Sequence, residues 1–131
     1  MCIKNVDSER FIYKSTLFMC MKVDKVELLR INKGFGGNLI SDSSIDFAIE
    51  MQDNKKIGVY KKLAYLLRAI LVDHPFTDGN KRTATFIALS FAEESGRTVN
   101  TDLLEHHIVS ISKQNIADIS NIERRIRNAI R

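Results

Sequence analysis

The sequence predicts an all-α fold, a small bundle of about six helices, on three observations. A single proline in 131 residues leaves long stretches free of helix breakers. Apolar residues recur at three- and four-residue steps in several segments, each bounded by glycine or by a capping residue. The length is that of one domain, and 44% apolar against 27% charged residues supply a core with a solvated surface.

Residues 1–23 are apolar and rich in Met and Phe, but have no clean period. They read as an N-terminal extension ahead of a domain spanning 24–131. Asp24 with Glu27 is a capping-box-like start for a short helix carrying Val26, Leu29 and Arg30. Gly34, Gly36, Gly37 and Asn38 break it, leaving a loop or one minor hairpin in which Asn38, Leu39 and Ile40 extend. Asp42 suits the N-cap of a helix with Ile45, Ala48 and Ile49.

The clearest helix covers 57–73, where Val59, Leu63, Leu66, Leu67, Ile70 and Leu71 form one stripe. It ends at Pro75, which disfavours helical backbone at His74. The next helix runs from Asn80 to about Ser95, with Gly96 as its stop. Ala84, Ile87, Ala88 and Phe91 line one side of it, and Phe86, Leu89 and Ala92 widen that surface, which predicts a central place in the bundle. Thr101 reads as the N-cap of a helix with Leu103, Leu104, Ile108 and Ile111. Ser120 with Glu123 caps a last one carrying Ile122, Ile126 and Ile130.

Composition excludes several function classes. No run of about 18 apolar residues provides a membrane span. Phe11 to Val23 is interrupted by Lys14, Ser15 and Lys22 and lacks a small-residue cleavage site, so no signal peptide is read. Cys2 and Cys20 lack metal-ligand spacing and read as the reduced thiols of a cytoplasmic protein, with Cys20, Met19 and Met21 packing in the core. The formal charge of +4 favours anionic partners without naming one. Its only cluster, Arg124, Arg125, Arg127 and Arg131, reads as a solvated helix end. Direct nucleic-acid binding has no supporting motif. Adjacent His106 and His107 do not face one another on a helix and read as surface or half-buried residues.

One segment carries chemistry: His74-Pro75-Phe76-Thr77-Asp78-Gly79-Asn80-Lys81-Arg82-Thr83. Phe76 is the apolar residue of a polar loop and predicts a plug into the core. Asp78-Gly79-Asn80 is turn chemistry leading into a helix. Lys81 and Arg82 then put positive charge where the helix dipole and free amides prefer negative charge. That conflict is relieved when an anion sits there, and phosphate is the usual guest. Asp78 offers a hard oxygen ligand for Mg²⁺. Imidazole titrates near neutral pH, so His74 suits the removal of a hydroxyl proton. Lys81 supplies a point charge and Arg82 a bidentate fork for phosphoryl oxygens. Singly, each of these residues is ordinary loop chemistry; their combination is what is specific.

These ten residues resemble the signature of the Fic/Doc superfamily in its Doc-like (death-on-curing) branch, and the similarity extends over about residues 24–131. The resemblance implies a helical Fic fold and transfer of part of a nucleotide to a protein hydroxyl, with ATP as nucleotide substrate and Mg²⁺ as cofactor. It implies His74 as general base, Phe76 as loop anchor and Asp78 as metal ligand. Gly79, Asn80, Lys81 and Arg82 become the anion hole and phosphate clamp. The loop from Gly34 to Ile40 becomes a flap that docks the target in extended form.

Two departures bear on the reaction. AMP-transferring members carry glycine where this chain has Lys81 and a second arginine where it has Thr85. In Doc-like toxins the corresponding lysine accompanies a reversed nucleotide, so that the terminal phosphate faces the nucleophile. Gly79 instead matches the AMP-transferring pattern, where Doc has alanine. The balance implies a protein kinase acting on a Ser/Thr hydroxyl, with adenylylation and a catalytically silent binding module as the alternatives. Thr101 and Glu105 have the spacing of the family's inhibitory motif, but His106 follows where Gly or Asn is required. Silencing by a separate antitoxin is therefore the expectation.

Overall fold

The computed structural model describes residues 22–131, so the readings made for Cys2, Met19, Cys20 and Met21 lie outside the described residues. Six helices form among the described residues: α1 (Lys25–Gly34), α2 (Ser43–Met51), α3 (Val59–Leu71), α4 (Asn80–Glu94), α5 (Thr101–Gln114) and α6 (Ile119–Ala129). There is no strand among them. Two isolated antiparallel bridges, Leu39–Phe76 and Val99–Ile130, tie loops across the bundle. The minor hairpin is thus absent there: the glycine-region segment pairs with the motif loop rather than with itself. No helix of the described residues is long and apolar enough to cross a membrane.

The helix with the strongest stripe is the centre. α3 buries Leu63, Ala64, Leu66, Leu67, Ile70 and Leu71 completely or almost so and packs against α2, α4, α5 and α6. The central place expected for the motif helix belongs to α3 instead. α4 buries Ala84, Ile87, Ala88 and Phe91, while Phe86 and Leu89 remain exposed. α1 crosses α4 and turns Leu28 and Asn32 inward, leaving Val26 67% exposed.

Capping explains where the helices start. The Asp24 carboxylate accepts the Glu27 N–H at 2.8 Å. At α5 the cap is Asn100, whose Oδ1 accepts the Leu103 N–H at 3.1 Å, and not Thr101. At α6 it is Asp118, accepting the Asn121 N–H at 3.1 Å, and not Ser120. Both segments offer neighbouring cap residues, and the earlier one closes the ring. Asp42 is the N-cap of α2, as expected, but makes no side-chain capping bond; its carboxylate meets Lys25 Nζ at 3.1 Å instead. Ile130 lies just beyond α6 and seals the base of the bundle against Val99.

Candidate active site

α3 stops at Leu71, and the chain must turn within three residues of Pro75. His74 does so at φ +48°, in the left-handed region that non-glycine residues seldom occupy. Such strain persists only where the surroundings impose it. Here Pro75 and Phe76 are buried and pin the turn from inside, Phe76 at 2% exposure. Asn80 staples the same turn: its Nδ2 donates to the Phe76 carbonyl at 3.0 Å, and its Oδ1 accepts the Phe76 N–H at 3.3 Å. The glycine-region loop closes over the other side. Ile40 N–H donates to the Pro75 carbonyl at 2.8 Å, and Thr77 N–H donates to that of Asn38 at 2.9 Å.

α4 begins at Gly79, which has φ +74° and provides no capping side chain. A Cβ at Gly79 would lie 3.0 Å from Phe35 Cβ, so a larger residue would be crowded as well as strained by the backbone. The Gly79 N–H is held by Asp78 Oδ1 at 2.8 Å. The next bond of the ladder runs from Thr83 N–H to the Gly79 carbonyl at 2.9 Å. Between them, the amides of Asn80, Lys81 and Arg82 find no acceptor among the described residues. Lys81 and Arg82 are exposed and form no ion pair among the described residues. Three orphan amides and two unpaired cations thus converge on one point.

That point is a polar cavity of about 380 Å³, lined by Phe35, His74, Thr77, Asp78, Gly79, Asn80, Lys81 and Arg82. The structure brings all six expected site residues to it. Asn80 differs from the rest in that its side chain is spent on Phe76, which leaves its backbone N–H for a ligand. Among the described residues no three His, Cys, Asp or Glu side chains gather as a metal cage. One exposed carboxylate, Asp78, beside an anion site fits Mg²⁺, which binds through one or two carboxylates and otherwise through substrate phosphates and water.

A second cavity, of about 410 Å³, adjoins the first through Phe35, Lys81 and Arg82. Its floor is apolar, with Phe86, Leu89 and Val109 exposed along it and Glu105 also lining it. Phe35 stands edge-on to Phe86 at 6.3 Å. The other groups considered from sequence lie elsewhere. His106 is exposed, and half-buried His107 sits 3.1 Å from Arg125, its pKa lowered first by burial and then by that guanidinium. Of the arginine cluster, Arg127 is paired with Glu123 at 3.0 Å, while Arg124 and Arg131 are exposed.

Sequence reading missed three residues that build the site. Asn32, in the last turn of α1, is 1% exposed and donates from Nδ2 to the Asp78 carbonyl at 2.9 Å and to Thr83 Oγ1 at 3.1 Å. Phe35 walls both cavities. Gly37 passes so close that a Cβ would stand 2.2 Å from the Asp78 carbonyl oxygen. A signal existed for Asn32: it falls four residues after Leu28, on the face that should be apolar.

No curated protein and no solved structure matches this chain. Residues 31–92, from the last turn of α1 through the motif turn and most of α4, match the family model described as Fic/DOC family.

Proposed function

We propose that this protein is a Doc-like toxin that transfers the terminal phosphate of MgATP to a serine or threonine hydroxyl of a cellular protein, with a translation factor such as elongation factor Tu as the target class the resemblance suggests. The family match supports the coarser reading, nucleotide-dependent group transfer to protein. The observation that carries the finer one is the start of α4: three free amides and the exposed Lys81 and Arg82 share a cavity with His74 and Asp78.

In this reading the amides of Asn80, Lys81 and Arg82 hold phosphoryl oxygens, and the two cations stabilise charge as it builds on them. His74 accepts the proton of the target hydroxyl. The hydroxyl oxygen then bonds to the γ-phosphorus as the bond from that phosphorus to the β–γ bridging oxygen breaks, and ADP departs. Mg²⁺ bound at Asp78 supplies charge neutralisation on the phosphates. The loop over the turn suits an extended target. Asn38 C=O and Ile40 N–H face the motif loop, so the N–H and C=O of Leu39 point to the opposite edge, free for another strand. In this reading the apolar groove beside Lys81 and Arg82 seats an antitoxin supplied in trans.

Adenylylation is the reading that Gly79 favours by family pattern. The backbone weakens that inference, because φ +74° and the close approach of Phe35 favour glycine there whatever the donor orientation. Lys81 is then the discriminating residue. Incubation of the protein with cell lysate and ATP labelled at the γ- or α-position should put γ-label on protein, and α-label alone overturns phosphate transfer in favour of AMP. Lys81→Gly should move the product from phosphate toward AMP; an unchanged product separates donor orientation from that side chain.

A further inference from the structure

We infer that Asn32 is a positioning residue for the anion-binding turn, acting through the Asp78 carbonyl and the Thr83 hydroxyl. The inference rests on reading the start of α4 as a phosphate site and adds to it the device that holds the site open.

Asn32 lies outside the signature segment, on a different helix, and is buried beneath the turn. Its two amide protons go to two oxygens that bracket the free amides: the carbonyl of Asp78, just before Gly79, and the hydroxyl of Thr83. Thr83 is also the residue whose N–H makes the first backbone bond of the helix. One side chain therefore ties both ends of the stretch that presents the amides of Asn80, Lys81 and Arg82. Fixing the Asp78 carbonyl fixes the plane of the peptide that leads into Gly79. Rotation of that peptide would turn the Gly79 N–H away from Asp78 Oδ1, which it now meets at 2.8 Å, and so release the carboxylate.

The amide orientation follows from chemistry. Flipping it would set Oδ1 against the Asp78 carbonyl, acceptor to acceptor. In the orientation adopted, Asn32 Oδ1 is buried with no hydrogen-bond partner. An unpaired buried acceptor is costly, and an apolar residue of the same size would avoid it. A buried asparagine here is explained by its two donors rather than by packing. The neighbouring backbone is shaped around it, since a Cβ on Gly37 would lie 2.3 Å from Asn32 Oδ1.

Asn32→Asp gives the sharpest test, because it keeps the shape and replaces the donors with a carboxylate. At pH 8 the variant should bind tripolyphosphate about tenfold more weakly than the parent protein by titration calorimetry, the scale of a lost hydrogen bond and a new repulsion. Amide hydrogen exchange should quicken at residues 79–83 and stay unchanged in α6. Thr83→Val should weaken binding severalfold and Thr83→Ser should retain it, and this pair decides the matter if Asn32→Asp fails to fold. Parent-like affinity and exchange in Asn32→Asp at pH 8 overturn the inference. If the parent protein itself fails to bind tripolyphosphate, the phosphate reading falls, and exchange at 79–83 still decides whether Asn32 orders the turn.

Discussion

Two helix starts in this bundle look alike in sequence and differ in what surrounds them. α3 and α4 both begin after a glycine N-cap that offers no side-chain bond, and both carry two cations within their first residues, Lys61 and Lys62 in one, Lys81 and Arg82 in the other. At α3 the glycine is extended at φ −81°, and the helix start is knitted into the molecule. Lys62 is buried, and the Tyr60 hydroxyl donates to the Ile130 carbonyl at 2.8 Å while Arg127 stacks 4.3 Å over its ring. At α4 the glycine is left-handed, both cations are exposed, and His74 and Asp78 share their cavity. A basic, uncapped helix start is therefore not a site by itself. The first amides of both helices lack acceptors among the described residues; what sets α4 apart is the turn in front of it, held by Phe76, Asn80 and Asn32, which gathers His74, Asp78 and two exposed cations round those amides.

Removing the proposed base, His74, breaks this contrast hardest. His74→Ala should lower transfer of γ-label by roughly 10²–10⁴-fold, the usual worth of a positioned general base. His74 is exposed, so the fold should survive, with the unfolding free energy within about 0.5 kcal/mol of the parent. Initial rates set beside denaturant melts check both halves. Growth arrest that persists unchanged in the variant would instead favour a binding module that needs no chemistry.

The mirror-image experiment is made at α3. Tyr60→Phe leaves the buried Ile130 carbonyl without its donor and should cost about 1–3 kcal/mol of stability. The proposed label transfer by the folded protein should not change in rate, because nothing at that end lines the cavity. A change in rate with no change in denaturant midpoint would mean that the two ends are coupled and that the contrast is false.

The sequence made the signature turn and the helices on either side of it legible because both depend on local chemistry. The stripe of α3, the proline after it and the glycine after α4 act within a few residues of themselves. What stayed hidden depends on distant partners. The cap at α5 moved by one residue to Asn100 and that at α6 by two to Asp118, since several polar residues in a row all satisfy the local rule. Leu39 pairs with Phe76, a partner 37 positions away, so no turn residue announced it. Asn32 reaches Asp78 and Thr83 across 46 and 51 positions, and only its place on an apolar face hinted at a role. Phe86 and Leu89 look like core by period, yet they line an open groove.

The other end of α4 sharpens the comparison with the smallest effect. This helix carries the unfavourable sign at both termini, cations where it starts and Glu93 and Glu94 where it ends. A bound polyanion relieves the first conflict. The second is relieved by a proton: Glu94 is pushed up to about 7, chiefly by burial and further by the nearby carboxylates of Glu27 and Glu93. Its folded pKa lies above the unfolded value of 4.5, so the protonated form is the one the fold favours. The associated stability is complete below pH 4.5 and is lost as pH rises through about 7. Melting temperatures should accordingly fall from pH 5 to pH 8 in the parent protein and fall less in Glu94→Gln, which holds a neutral side chain throughout. Parallel slopes would remove Glu94 from the account. Tripolyphosphate should raise the melting temperature equally in both proteins, because the ligand answers only to the cationic end. An increment that depends on Glu94 would show that the two termini of α4 act as one electrostatic unit rather than as two separate conflicts with separate remedies.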